Sequence, residues 1–246
     1  MIKVEKLKKS FSAKGEGSVI AVNDVSFEAK RGRIFAVLGP NGSGKTTLLR
    51  MLSSLLSPDS GHVEVEGLAL PKYASQVRAK LGFLTGSAAL HKKLTTNETL
   101  ELFGDLHGLN KSLFKQRRSA LVEQLAMEDI LDKLVGTLSM GQKQRVMIAR
   151  TLLHDPEVVI FDEATSGLDV LAARMLMDMI RHCRESNKTV LFSTHIMGEV
   201  ALLADDILVL HKGNVLYNDT FAKFEQEHVE KNLEEAFVKV LERGTA

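Results

Sequence analysis

The stretch GPNGSGKTT, residues 39–47, constrains the fold more than any other part of this 246-residue chain. It carries the pattern G-x-x-x-x-G-K-T. It follows the short, almost wholly apolar run RIFAVLG and opens KTTLLRMLSSLLS, where leucine recurs at helical spacing up to Pro58. A nearly all-apolar strand is one covered on both faces. Glycines let the backbone between strand and helix curl until successive N–H groups point inward as an anion nest. The helix beginning near Lys45 adds its positive end. Gly39, Pro40, Asn41, Gly42, Ser43, Gly44, Lys45, Thr46 and Thr47 therefore read as a polyphosphate cradle. In it, Lys45 can reach β- and γ-phosphates and the Thr46 hydroxyl can ligate Mg²⁺.

Other segments supply the sheet that such a loop requires. IKVEKLKK and VSFEAKRG read as strands, and GHVEVEG alternates with period two. EVVIFDE and TVLFSTH are further apolar strand candidates, separated by the helical VLAARMLMDMIRHCRESN. DDILVLHKGNVLYN reads as a hairpin turning at Lys212–Asn214. From 87 to 153 the pattern changes: NETLELFGDLHGL, FKQRRSALVEQLAM and QKQRVMIARTLL are helical. The expected fold is α/β: a P-loop core of mixed β-sheet flanked by helices, with an antiparallel β region and an inserted helical subdomain. One domain is expected over 1–246, with the nucleotide-binding core at 1–86 and 154–220, the helical subdomain at 87–153 and a C-terminal helical tail at 221–246. A Leu233–Phe237–Val240 stripe is expected to pack that tail.

An apolar strand ending in Asp162 places a carboxylate at the sheet's carboxyl edge, where α/β folds bind ligands. Asp162 is expected to hold Mg²⁺ through water. Glu163 faces differently and is expected to polarise an attacking water. A second phosphate device lies in LSMGQKQR, residues 138–145. Ser139 is a good N-cap, Gly141 lets backbone approach closely, and the free N–H groups of the first turn make another anion site.

Composition narrows the class. The net charge is +1, which provides no field for nucleic acid. The short basic run KLKKS reads as a solvated strand edge. The single cysteine, Cys183, fits a reducing compartment and reads as a buried, inert thiol. No apolar run approaches the roughly 18–20 residues that span a bilayer. The N-terminus lacks the apolar core of a secretion signal. The chain is expected in the cytoplasm.

LSMGQ resembles the LSGGQ signature of ATP-binding cassette (ABC) proteins. FDEATSGLD follows at that family's spacing, and STH follows after one helix and one strand. With GPNGSGKTT these motifs cover nearly the whole chain. The resemblance implies ATPase activity with ATP and Mg²⁺ as cofactors. It also implies an ATP-dependent, head-to-tail homodimer in which the signature of one subunit closes over ATP on the other's phosphate loop. Ser139, Gly141 and Gln142 would then meet the partner's nucleotide. Phe11 matches the residue that stacks on adenine, and Val22 its apolar neighbour. Lys45, Glu163 and His195 become the catalytic set, with His195 of STH as the switch near the γ-phosphate. Thr46 and Asp162 become the metal ligands, and Asp169 of SGLD contacts the opposite subunit. The implied partner is an integral membrane transporter subunit, with this chain peripheral on the cytoplasmic face of the cell membrane.

Three positions depart from the family pattern. Met140 replaces the first glycine of the signature pair, with a mild effect expected because the first turn of a helix accepts other residues. Ala164 replaces the common proline after the catalytic carboxylate, which should loosen a turn. Gly86 stands where most members have a glutamine that contacts Mg²⁺ and relays nucleotide state to the membrane partner. GFLTGS and NLEEAFVKVL look like a branch of ATP-binding subunits of two-component exporters, including sodium-efflux types. The leading expectation is the ATPase subunit of an exporter. The alternatives are a soluble ABC-type switch not coupled to transport, and a nucleotide-binding regulator that hydrolyses nothing. The absence of a second cassette or long coiled coil in this sequence argues against the first. Intact Lys45, Asp162, Glu163 and His195 argue against the second.

Overall fold

The structure, a computed structural model, describes residues 1–13, 17–85, 90–228 and 232–243. The chain opens with two long strands, β1 (Ile2–Ala13) and β2 (Gly17–Ala29). It then enters the buried β3 (Ile34–Leu38), the phosphate loop and α1 (Lys45–Leu52). β4 (Ser60–Val65) and β5 (Leu68–Ala69) follow, and α2 (Ala74–Lys80) leads into β6 (Leu81–Thr85). From 90 to 152 the described residues hold α3 (Thr96–Leu106), α4 (Lys111–Gln124) and α5 (Met140–Leu152), with one isolated bridge between Thr95 and Leu134. The chain then alternates through β7 (Val158–Asp162), α6 (Val170–Glu185), β8 (Thr189–Thr194) and α7 (Met197–Leu203). It closes with β9 (Asp206–His211), β10 (Asn214–Thr220), α8 (Phe221–Glu227) and α9 (Leu233–Arg243).

The strands make two sheets, an antiparallel one ordered β2-β1-β4-β5 and a mixed one ordered β10-β9-β3-β8-β7-β6. The second is parallel except at the β9–β10 hairpin. Its central strands bury both faces, which is why they read as unbroken apolar runs. In β3, Ile34, Ala36 and Leu38 enter a core that includes residues of α6 and α7. Phe35 and Val37 enter a second core shared with β1, β2, β4 and α1. In β7, Val159 and Phe161 take the first core and Val158 and Ile160 the second.

α1 ends well before Pro58. Ser53 Oγ donates to Arg50 O at 3.1 Å, Ser54 takes φ +59°, and the N–H groups of Leu55 and Leu56 turn back to Arg50 O. Serine hydroxyls compete with the helical ladder, so the leucine spacing overstated the helix. The β9–β10 turn has φ +47° at Lys212 and +80° at Gly213, the two positive values that a type I′ turn requires. Gly213 N donates to Ser43 O at 2.9 Å, and Gly213 O accepts from Asn23 N at 2.8 Å. The turn thus braces the phosphate loop against β2. Val240 of α9 is buried, and Leu233 and Phe237 pack partly buried on the same core. Cys183 is buried, which pushes its thiol up to about 12.

Candidate nucleotide site

β3, β8 and β7 are neighbours and end at one edge of the sheet. The phosphate loop leaves β3, Asp162 ends β7, and Ser193 and Thr194 end β8. Asn41, Gly42, Gly44, Lys45, Thr46 and Thr47 line a cleft of about 310 Å³, joined by Glu163 and Ala21. Two glycines are required by packing. A Cβ on Gly39 would lie 2.2 Å from Leu210 O, and one on Gly44, at φ +110°, would lie 2.1 Å from Ala21 O.

Buried Lys45 directs its ammonium inward. Its Nζ donates to Gly39 O at 2.8 Å and Pro40 O at 3.1 Å, and lies 3.0 Å from Glu163 Oε1. Thr46 Oγ1 donates to Asp162 Oδ1 at 3.2 Å. Ser193 Oγ donates to the same oxygen at 2.6 Å and accepts from Glu163 N at 3.0 Å. Glu163 holds φ +46°. Ser193, two positions before His195 and one of three buried polar residues of β8 with Thr189 and Thr194, was not among the expected site residues. His195 itself is exposed just past the end of β8.

Three residues sit differently from expectation. Val22 is fully buried in the core between the sheets and cannot border a ligand; Ala21, one position earlier, faces the cleft. Strand side chains alternate between faces, so a one-residue error exchanges core for cleft. Ser43 does not line the cleft. Its N–H is bonded to Pro40 O at 3.2 Å, and its buried hydroxyl, without a partner among the described residues, lies under the loop against Gly39. The Ala164 turn, expected to be loose, is tied: Ala164 is buried, and its carbonyl accepts from the buried Gln144 Nε2 at 3.1 Å. Gln144 was not foreseen; it joins α5 to the turn after Glu163. Phe11 is 45% exposed on β1, with Lys9 Nζ 5.6 Å from its ring centre. Gly86 lies outside the described residues.

The LSMGQ segment, expected to be a second phosphate device, is a capped helix start. Ser139 Oγ accepts from Gln142 N at 3.2 Å, and Gln142 Oε1 accepts from Ser139 N at 3.0 Å. Gln142 therefore closes the cap. Neither they nor Gly141 line the cleft of their own chain. A Cβ on Gly141 would meet only Ala172 Cβ, at 3.9 Å, so packing among the described residues does not demand glycine there. Asp169 caps α6, its Oδ1 accepting from Ala172 N at 2.9 Å. A larger groove of about 610 Å³ runs between α4 and α6. Its Arg117 and Lys188 are both paired with Asp155, and it contains none of these residues.

A glycine loop between β3 and α1, with carboxylates at the end of β7, defines a P-loop nucleotide-hydrolysing protein. The profile of the ABC transporter family matches residues 22–166. The chain belongs to that family: it is an ABC transporter ATP-binding subunit and an ATPase. It is 38% identical over 227 residues to the ABC transporter ATP-binding protein NatA of Bacillus subtilis, covering 92% of each chain. It is 37% identical to the Nod factor export ATP-binding protein I of Ralstonia nicotianae, over 87% of this chain and 65% of that one. A dimeric ATP-binding cassette in a post-hydrolysis state, bound to ADP and Pi, superposes with a TM-score of 0.81 at 26% identity, over 89% of this chain and 98% of the other. No helix among the described residues is long and apolar enough to cross a membrane.

Proposed function

We propose that two copies of this chain close head to tail around ATP and drive a separate integral membrane subunit in export, from the cytoplasmic face of the membrane. One observation carries the reading: the chain's two phosphate devices do not meet within it. Ser139, Gly141 and Gln142 stand outside the cleft, with apolar Met140, Val170 and Leu171 beside them, 66%, 83% and 80% exposed. A partner's nucleotide would fill the space above Gly141. The dimeric cassette and the export relative support the assembly and its direction.

Within each site, Lys45 and the loop N–H groups bind the phosphates and Phe11 stacks on adenine beside Ala21. Thr46 and Asp162 fit Mg²⁺: a hydroxyl and a carboxylate oxygen 3.2 Å apart are the hard donors it takes. Bound there, Mg²⁺ would neutralise charge on the β- and γ-phosphates. Glu163 orients the attacking water, His195 reaches the γ-phosphate edge, and Asp169 holds the loop that meets the partner.

Mixing two inactive variants tests the arrangement. Lys45→Ala spoils the phosphate loop and Ser139→Arg spoils the signature. Each alone should lose ATPase activity. Mixed, they form heterodimers with one intact composite site, and up to about a quarter of the wild-type rate should return. A mixture that stays inactive, or a Ser139→Arg protein as active as wild type, would rule the arrangement out.

A further inference from the structure

We propose that Ser193 is the positioning residue of the hydrolytic site: its hydroxyl holds Asp162 and the backbone of Glu163 together and so aims the Glu163 carboxylate. The proposal rests on the reading of Glu163 as the residue that orients water. Ser193 is opposite Asp162 in the β7–β8 register and only 2% exposed. A buried hydroxyl must find partners. This one uses both of its capacities, donating to Asp162 Oδ1 at 2.6 Å and accepting from Glu163 N at 3.0 Å.

Glu163 needs such a hold. Its φ of +46° lies in the left-handed region, where a non-glycine residue is strained. Such a conformation persists only where the surroundings over-determine it. Here the Glu163 N–H is shared between Ser193 Oγ and Ser193 O, the latter at 3.3 Å, and the Glu163 carbonyl accepts from Ser166 N at 3.1 Å. Asp162 Oδ1 is fixed from the other side by Thr46. Ser193 does not line the cleft, so it acts through the two carboxylates. Without its hydroxyl, Asp162 loses its shorter hydrogen bond and Glu163 keeps only the longer backbone one.

Steady-state ATPase kinetics of Ser193→Ala and Ser193→Thr test this, alongside binding of a fluorescent ATP analogue measured without divalent cation. Misplacement by about 1 Å can cost on the order of a hundredfold, so kcat of Ser193→Ala should fall about 10- to 100-fold. KM and analogue affinity should stay within about twofold, because the phosphate loop is intact. Ser193→Thr keeps the hydroxyl and should recover most of kcat. A kcat of Ser193→Ala within about twofold of wild type overturns the proposal. So does a threonine variant no better than alanine, or a parallel loss of kcat and affinity. Lys45→Ala serves as the control. If wild type and Lys45→Ala release phosphate alike, the hydrolytic reading fails and takes this proposal with it. If Lys45→Ala is dead and Ser193→Ala is fully active, the proposal alone falls.

Discussion

Lys45 and Glu163 are bound to each other at 3.0 Å, their side chains 3% and 31% exposed. A γ-phosphate that claims Lys45 must compete with that carboxylate. A partly buried ion pair of this kind contributes about 1 kcal/mol. Glu163→Gln is therefore predicted to do two opposite things. Turnover falls at least about a hundredfold because the water is no longer oriented. ATP binds about fivefold more tightly because Lys45 loses its anionic competitor. Phosphate release and equilibrium binding of a fluorescent ATP analogue check both halves, and an unchanged or weakened affinity contradicts the competition. At this scale the sequence was legible wherever chemistry and spacing coincide. Lys45, Thr46, Asp162 and Glu163 all fall around one cleft edge. Val22 was misread for Ala21 because the strand's facing cannot be counted without its register. Ser193 was overlooked because a buried serine has no pattern of its own.

At the junction between α3 and the end of α5, His107 and His154 stack with centroids 3.7 Å apart and planes 5° from parallel. His107 closes α3, and His154 Nε2 lies 3.3 Å from Leu81 O at the start of β6. Burial, then the neighbouring His107, holds His154 down to about 4 from its ordinary 6.5. Arg117 of α4 pushes the same way, while Asp155 and Leu81 O oppose it. Burial also lowers His107. The unfolded chain therefore takes up protons below about pH 6.5 that the folded chain refuses until about pH 4. Stability is full above that window and falls as pH drops through it. Between about pH 7.5 and pH 5, wild type should lose about 2 kcal/mol more than His154→Gln, read from urea midpoints. Equal losses would show that the stacked pair carries no such linkage. Among elements, the capped start of α5 was readable from Ser139, whereas Asp169 was expected only at a partner contact and its cap on α6 came from the structure. The early end of α1 was not readable, because the periodic leucines continue past the serines that stop it.

For the whole molecule, the parallel sheet and the helices between β6 and β7 follow from how strands and helices succeed one another along the chain. The order of strands does not. That β1 lies between β2 and β4, and that the β9–β10 turn reaches back to brace Ser43, depends on pairings between segments distant in sequence. In the proposed head-to-tail pairing, a second copy would bring its signature segment to the phosphate loop, and the exposed Met140, Val170 and Leu171 would lie at that contact. The measurement that tests this most directly is the solution mass, by light scattering, of Glu163→Gln with and without ATP. A doubling of mass on ATP addition is expected, abolished when Ser139→Arg is introduced into the same chain. A mass that stays at one chain while ATP is bound, or a doubling that survives Ser139→Arg, would contradict it.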